Sequence, residues 1–158
     1  MRKPKIYLET TIWNFIFADD APDKRDITKL FFQQLEQYEA YISLTVLGEI
    51  SRTKNQAKLE QLLKLIDIHQ PIVLESTPEA ERLAQAYIYN GVLTAKHRID
   101  AEHIAITAVF DLDIIVSWNM GDIVRLKTRQ GVNAVNLLKG YRELEVITPQ
   151  EVTQYEWD

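Results

Sequence analysis

With 158 residues, 46% hydrophobic and 26% charged, the chain has the composition of one ordinary globular domain over residues 1–158, large enough for a real core. It contains no cysteine, which excludes disulfides, cysteine nucleophiles and thiolate metal sites and fits a reducing compartment. A net charge of −5 argues against a protein that coats nucleic acid through bulk positive charge, but not against a nuclease whose clustered acids are neutralised by a divalent ion.

Lys5 to Leu8 reads as a short apolar strand for the centre of a sheet, and it ends abruptly in Glu9-Thr10-Thr11. The basic start Met1-Arg2-Lys3 is a poor signal peptide, because Glu9 interrupts the apolar piece after it. No apolar run approaches the ~20 residues of a membrane span, so a cytoplasmic protein away from membranes is expected. Thr10 to Phe17 is a short helix, Asp19 to Asp23 a solvated loop, and about Asp26 to Tyr38 an amphipathic helix carrying Ile27, Leu30, Phe31 and Leu35. Phe31 and Phe32 serve either a dimer face or the core, and a homodimer is the expected state.

Ala40 to Leu44 is a second strand, and Thr45 can cap a helix bearing Val46, Glu49 and Ile50. A helix from about Gln56 to Ile66 and a strand at Pro71 to Leu74 follow, and then Thr77-Pro78-Glu79 starts a helix that Gly91 ends. Asp100 opens the next helix as its N-cap. Ile114 to Trp118 is an apolar strand ending at Asn119, about Asp122 to Arg129 is helical, and Ala134 to Leu137 is the last strand. Thr148-Pro149-Gln150-Glu151 is a capping box for a terminal helix. Strands alternating with helices imply an α/β fold with three layers: a central, mainly parallel sheet of five strands with helices on both faces.

Glycines at phosphate-loop or dinucleotide spacing are missing, and neither Ser43 nor Ser117 is flanked by glycines as a hydrolase elbow requires. What remains is acids at element ends: Glu9 after the first strand, Glu49 one turn into a helix, Asp100 at a helix start, with Asn119 after the fourth strand. Carboxylate oxygens drawn from distant parts of a chain are what Mg²⁺ or Mn²⁺ requires, and such a site can hydrolyse a phosphodiester without a protein nucleophile. Each has a plainer reading: Asp100 as a helix cap, Glu49 as a solvated acid, Asn119 as a turn residue. Glu9 is harder to set aside, since a carboxylate after a buried strand needs a partner. His103, one turn from Asp100, either touches the site or is a hydrogen-bonded structural histidine. Asp122 either starts a helix or replaces the acid that Asn119 does not provide. His69 and His97 carry no signal.

Taken in order, Ile6-Tyr7-Leu8-Glu9-Thr10-Thr11, Leu44 to Ile50 with Glu49, Asp100-Ala101-Glu102-His103-Ile104-Ala105 and Ile115-Val116-Ser117-Trp118-Asn119 resemble the PIN domain family, and in particular the VapC-like toxin ribonucleases of toxin–antitoxin modules. The resemblance implies a PIN-like parallel sheet flanked by helices and Mg²⁺- or Mn²⁺-dependent cleavage of RNA. It maps Glu9, Glu49 and Asp100 onto the family's three acids, Asn119 onto the position of its fourth, and Thr10 or Thr11 onto the supporting hydroxyl. Glu9 and Asn119 depart from the usual Asp and acid, as in a variant subgroup with Glu-Thr-Thr and Trp-Asn. Glu9 and Asp100 are then the main metal ligands, with Glu49, Asn119 and Asp122 as further candidates. The expected activity is endoribonuclease, a hydrolase, in a type II toxin with an antitoxin partner. The alternatives are a catalytically silent PIN-like module that binds RNA or protein, and a receiver-like phosphoacceptor, which Thr10 and Thr11 disfavour.

Overall fold

The structure is a computed structural model that describes residues 2–154. Its five strands are β1 (Lys5–Leu8), β2 (Glu39–Ser43), β3 (Ile72–Leu74), β4 (Ile114–Val116) and β5 (Glu145–Ile147), all parallel in the order β3-β2-β1-β4-β5. The three-layer α/β/α arrangement expected from the sequence is the one observed. β1 is central because Ile6, Tyr7 and Leu8 are all completely buried, which only a strand covered on both faces allows.

Between the strands run α1 (Thr10–Phe15), α2 (Pro22–Gln33), α3 (Leu44–Ser51), α4 (Gln56–His69), α5 (Pro78–Tyr89), α6 (Arg98–Val109) and α7 (Leu126–Leu138), with α8 (Pro149–Gln154) after β5. The chain steps from β1 to β3 in one direction and from β4 to β5 in the other. Right-handed crossovers therefore put α1 to α4 on one face and α5 to α7 on the other, and α8 returns to pack on α2. Among the described residues no helix is long and apolar enough to cross a membrane.

Several boundaries differ from the sequence reading. α2 starts at Pro22 rather than Asp26, because proline in the first helical position supplies a helix-ready φ and has no N–H to leave unsatisfied. It ends at Gln33, and Leu35–Gln37 is a separate 3₁₀ turn. Phe31 and Phe32 are buried, so they belong to the core rather than to an exposed face. Thr45 lies inside α3 rather than capping it, and its hydroxyl reaches Glu102 at 3.3 Å. The expected strand at Ala134 to Leu137 is the last part of α7, where Val132, Val135 and Asn136 recur at helical spacing and are buried. Gly131 lies within that helix because a Cβ there would come within 2.8 Å of Val92. The fifth strand is Glu145–Ile147. Thr77 caps α5 through Ala80 N–H at 3.1 Å, Gly91 follows with a left-handed φ of 74°, and Thr148 and Glu151 form the expected capping box.

Candidate functional site

The order of the sheet reverses between β1 and β4, and the crevice outside their carboxyl ends is where open parallel sheets take ligands. Glu9 enters that crevice directly from β1, with its N–H bonded to Val116 O at 3.1 Å, and is only 3% exposed. Its Oε1 accepts two hydroxyl bonds of 2.6 Å, from Thr11 and from Ser117. Each hydroxyl is itself held by a backbone N–H, Thr11 by Trp118 at 2.9 Å and Ser117 by Asn119 at 2.9 Å, so its single proton is committed to Glu9. Among the described residues no hydrogen bond reaches Oε2.

Glu49 repeats the pattern from α3. Its Oε1 accepts from Thr10 Oγ1 at 2.6 Å and from His103 Nε2 at 2.6 Å, leaving Oε2 without a protein donor among the described residues. His103 is fully buried on α6, and its other nitrogen, Nδ1, lies 2.6 Å from the Tyr7 hydroxyl, which lies 2.7 Å from Ser43 Oγ. An ionised Glu49 can only accept, so Nε2 carries a proton in either charge state of the ring. Burial alone would lower the His103 pKa, but the bond to Glu49 and the charges of Glu9, Glu49 and Asp100 outweigh it and raise it. Burial would likewise raise Glu49, but His103, Thr10 and the charge of Arg52 bring it below the usual glutamate value.

Asp100 is the third residue of α6, not its N-cap; a 3₁₀ turn at Ala95–His97 leads into the helix, so no side-chain cap is used there. Its carboxyl pKa is raised, first by burial and then by the charge of Glu9, with Asp122 adding to the effect. His97 stands between two acids, Nδ1 at 3.3 Å from Asp100 and Nε2 at 3.4 Å from Asp122. Asp122 does not start a helix. It lies in the turn before α7, which Asn119 builds by accepting Asp122 N–H at 3.2 Å on its side-chain oxygen and Ile123 and Val124 N–H at 3.0 and 2.9 Å on its backbone oxygen.

The structure thus brings Glu9, Glu49 and His103 together, with ligand atoms within 4.8 Å of one another, and His97, Asp100 and Asp122 likewise. The two groups are separate clusters, and the charge of Glu9 is felt at Asp100. The oxygen-rich donor set fits a hard cation such as Mg²⁺ or Mn²⁺, and the raised Asp100 is a strain that positive charge would relieve. His103 spends both nitrogens within the protein, which leaves carboxylates as the accessible donors.

Three residues of the crevice escaped the sequence reading. Ser117 had a signal, a lone hydroxyl in the apolar run Ile-Ile-Val-Ser-Trp. Tyr7 had the same kind of signal in β1. His97 lies three positions before Asp100, a spacing that could have linked the two.

No family model matches the chain, and no curated protein matches it. Among solved structures it is similar to a chain of the crystal structure of VapBC2 from Rickettsia felis bound to a DNA fragment from their promoter. The identity is 13% and the TM-score 0.53, over 97% of this chain and 98% of that one. At that identity the likeness is one of fold.

Proposed function

We propose that the chain is a divalent-metal-dependent endoribonuclease and the toxin of a toxin–antitoxin pair. The observation that carries the reading is a pair of acidic clusters, Glu9 and Glu49 with His103 and Asp100 and Asp122 with His97, coupled through the charge of Glu9 at Asp100. Glu9 and Glu49 each have one oxygen held by two protein donors and the other, among the described residues, free of them. Glu9 and Asp100 are the principal residues to hold Mg²⁺ or Mn²⁺, with Glu49 and Asp122 beside them. A bound divalent ion supplies neutralisation of the charge that builds on a phosphodiester and a lowered pKa for water. The chain's own part is to orient the acids: Thr11 and Ser117 fix Glu9, Thr10 and His103 fix Glu49, and Asn119 shapes the turn that presents Asp122.

The fold likeness to VapBC2, described as a complex on its promoter DNA, supports an antitoxin partner for this chain and a cytoplasmic site of action. Purified protein is expected to cleave single-stranded RNA with Mn²⁺ or Mg²⁺ and not after chelation. Glu9→Gln or Asp100→Asn should reduce the rate by about 10²-fold or more. RNA that is bound but not cut by the unaltered protein would instead favour the silent binding module.

A further inference from the structure

Tyr7 and His103 are both completely buried, and their polar atoms need a reason to be there. Phenylalanine carries the same ring and would fill the place of Tyr7 in this buried strand. What the hydroxyl adds is one link in a chain: Ser43 Oγ to Tyr7 at 2.7 Å, Tyr7 to His103 Nδ1 at 2.6 Å, and His103 Nε2 to Glu49 Oε1 at 2.6 Å. Three of its four members are fully buried; Glu49, with its side chain 29% exposed, is where the chain reaches the crevice. Thr10 donates to the same oxygen at 2.6 Å.

A glutamate on a helix has three side-chain torsions, and a half-buried one would otherwise swing toward water. Two donors on Oε1 remove that freedom before any ligand arrives and leave Oε2 without a donor among the described residues. We propose that Tyr7 and His103 are positioning residues for the cation: the buried relay Ser43–Tyr7–His103 holds Oε1 of Glu49 and so presents Oε2 as a preset ligand atom. This rests on the reading of the crevice as a divalent-cation site.

The test is a titration of Mn²⁺ followed by the loss of free-ion electron paramagnetic resonance signal, alongside metal-free thermal melts. Tyr7→Phe keeps the ring and the packing, and it should weaken Mn²⁺ binding about 10-fold or more, as should His103→Leu. His103→Gln keeps an amide that can donate to Glu49 and should recover most of the affinity. A folded Tyr7→Phe with the affinity of the unaltered protein, whatever its melting temperature, overturns the relay. The site reading is judged separately by Glu9→Gln and Glu49→Gln: if both bind Mn²⁺ unchanged, that reading and the relay fall together, whereas weakened binding there with an unaffected Tyr7→Phe removes the relay alone.

Discussion

At the amino edge of the sheet, Asp113 accepts the Lys5 N–H at 2.8 Å, two guanidinium bonds from Arg2 at 3.0 and 3.2 Å, and one from Arg142 at 2.9 Å. Arg142 also holds Asp111 at 2.5 Å. At the carboxyl edge, Glu9, Glu49, Asp100 and Asp122 face two histidines, and among the described residues no lysine or arginine forms an ion pair with any of the four. The pKa values follow. Burial would raise Asp113, but Arg2, the Lys5 amide and Arg142 hold it down to about 2, whereas burial and the charge of Glu9 push Asp100 up. The same side-chain type is a tie where cations meet it and an open demand for charge where they do not. An edge whose acids face histidines rather than a lysine or arginine ion pair is the one where added positive charge should have the larger effect.

The largest expected difference between the edges is the response to metal. Mn²⁺ at about 100 times its dissociation constant should stabilise the protein by about 2.7 kcal/mol, which for a chain of this size raises the melting temperature by roughly 5–10 °C. The rise should vanish in Asp100→Asn and persist in Asp113→Asn. A flat response of the unaltered protein in differential scanning fluorimetry would break the comparison.

Smaller and of opposite sign are the effects without metal. Asp113→Asn leaves Arg2 without its carboxylate and Arg142 with Asp111 alone, but Arg2 is 62% exposed, so solvent screening reduces the expected loss to about 1 kcal/mol, or about 2–4 °C in melting temperature. Asp100→Asn removes a like charge from a crowded crevice and should raise the melting temperature by about 1–3 °C while abolishing RNA cleavage. Cleavage by Asp113→Asn should stay near that of the unaltered protein. Loss of stability in both variants would mean that Asp100 is tied as Asp113 is.

What could be read from the sequence divides along the same line. Local chemistry was legible: Thr77-Pro78 and Thr148-Pro149-Gln150-Glu151 carry their own start signals, and Ile6-Tyr7-Leu8 needs cover on both faces. Glu9 and Asp100 were legible as acids at element ends, although Asp100 sits within its helix because a 3₁₀ turn precedes it. Whatever depended on distant partners was not. Ala134 to Leu137 reads as a short strand after Gly131, and only the packing of Val132, Val135 and Asn136 against the core makes it a helix. The three-residue β5 takes its identity from its pairing with β4. His97 gains meaning from Asp122, twenty-five positions away, and Asp122 from a turn that the side chain of Asn119 folds.

The finest test is pH. Asp113 has a folded pKa of about 2, below its ordinary 3.8, so its contribution is complete above about pH 4 and is lost as pH falls from there toward 2. The stability gap between the unaltered protein and Asp113→Asn should therefore hold constant from neutral pH to about 4 and close below it. Asp100 runs the other way. Its folded pKa is raised, so in the folded chain it takes up a proton before its unfolded counterpart does, and its penalty, present near neutrality, fades as pH falls toward 3.8. The advantage of Asp100→Asn should thus shrink on the neutral side of pH 4, in the range where the Asp113 gap does not move. Urea melts in chelator at several pH values resolve the two. Were both gaps to close over one interval, the acids of the two edges would share one electrostatic condition, and the carboxyl edge would hold no unmet charge for a cation to answer.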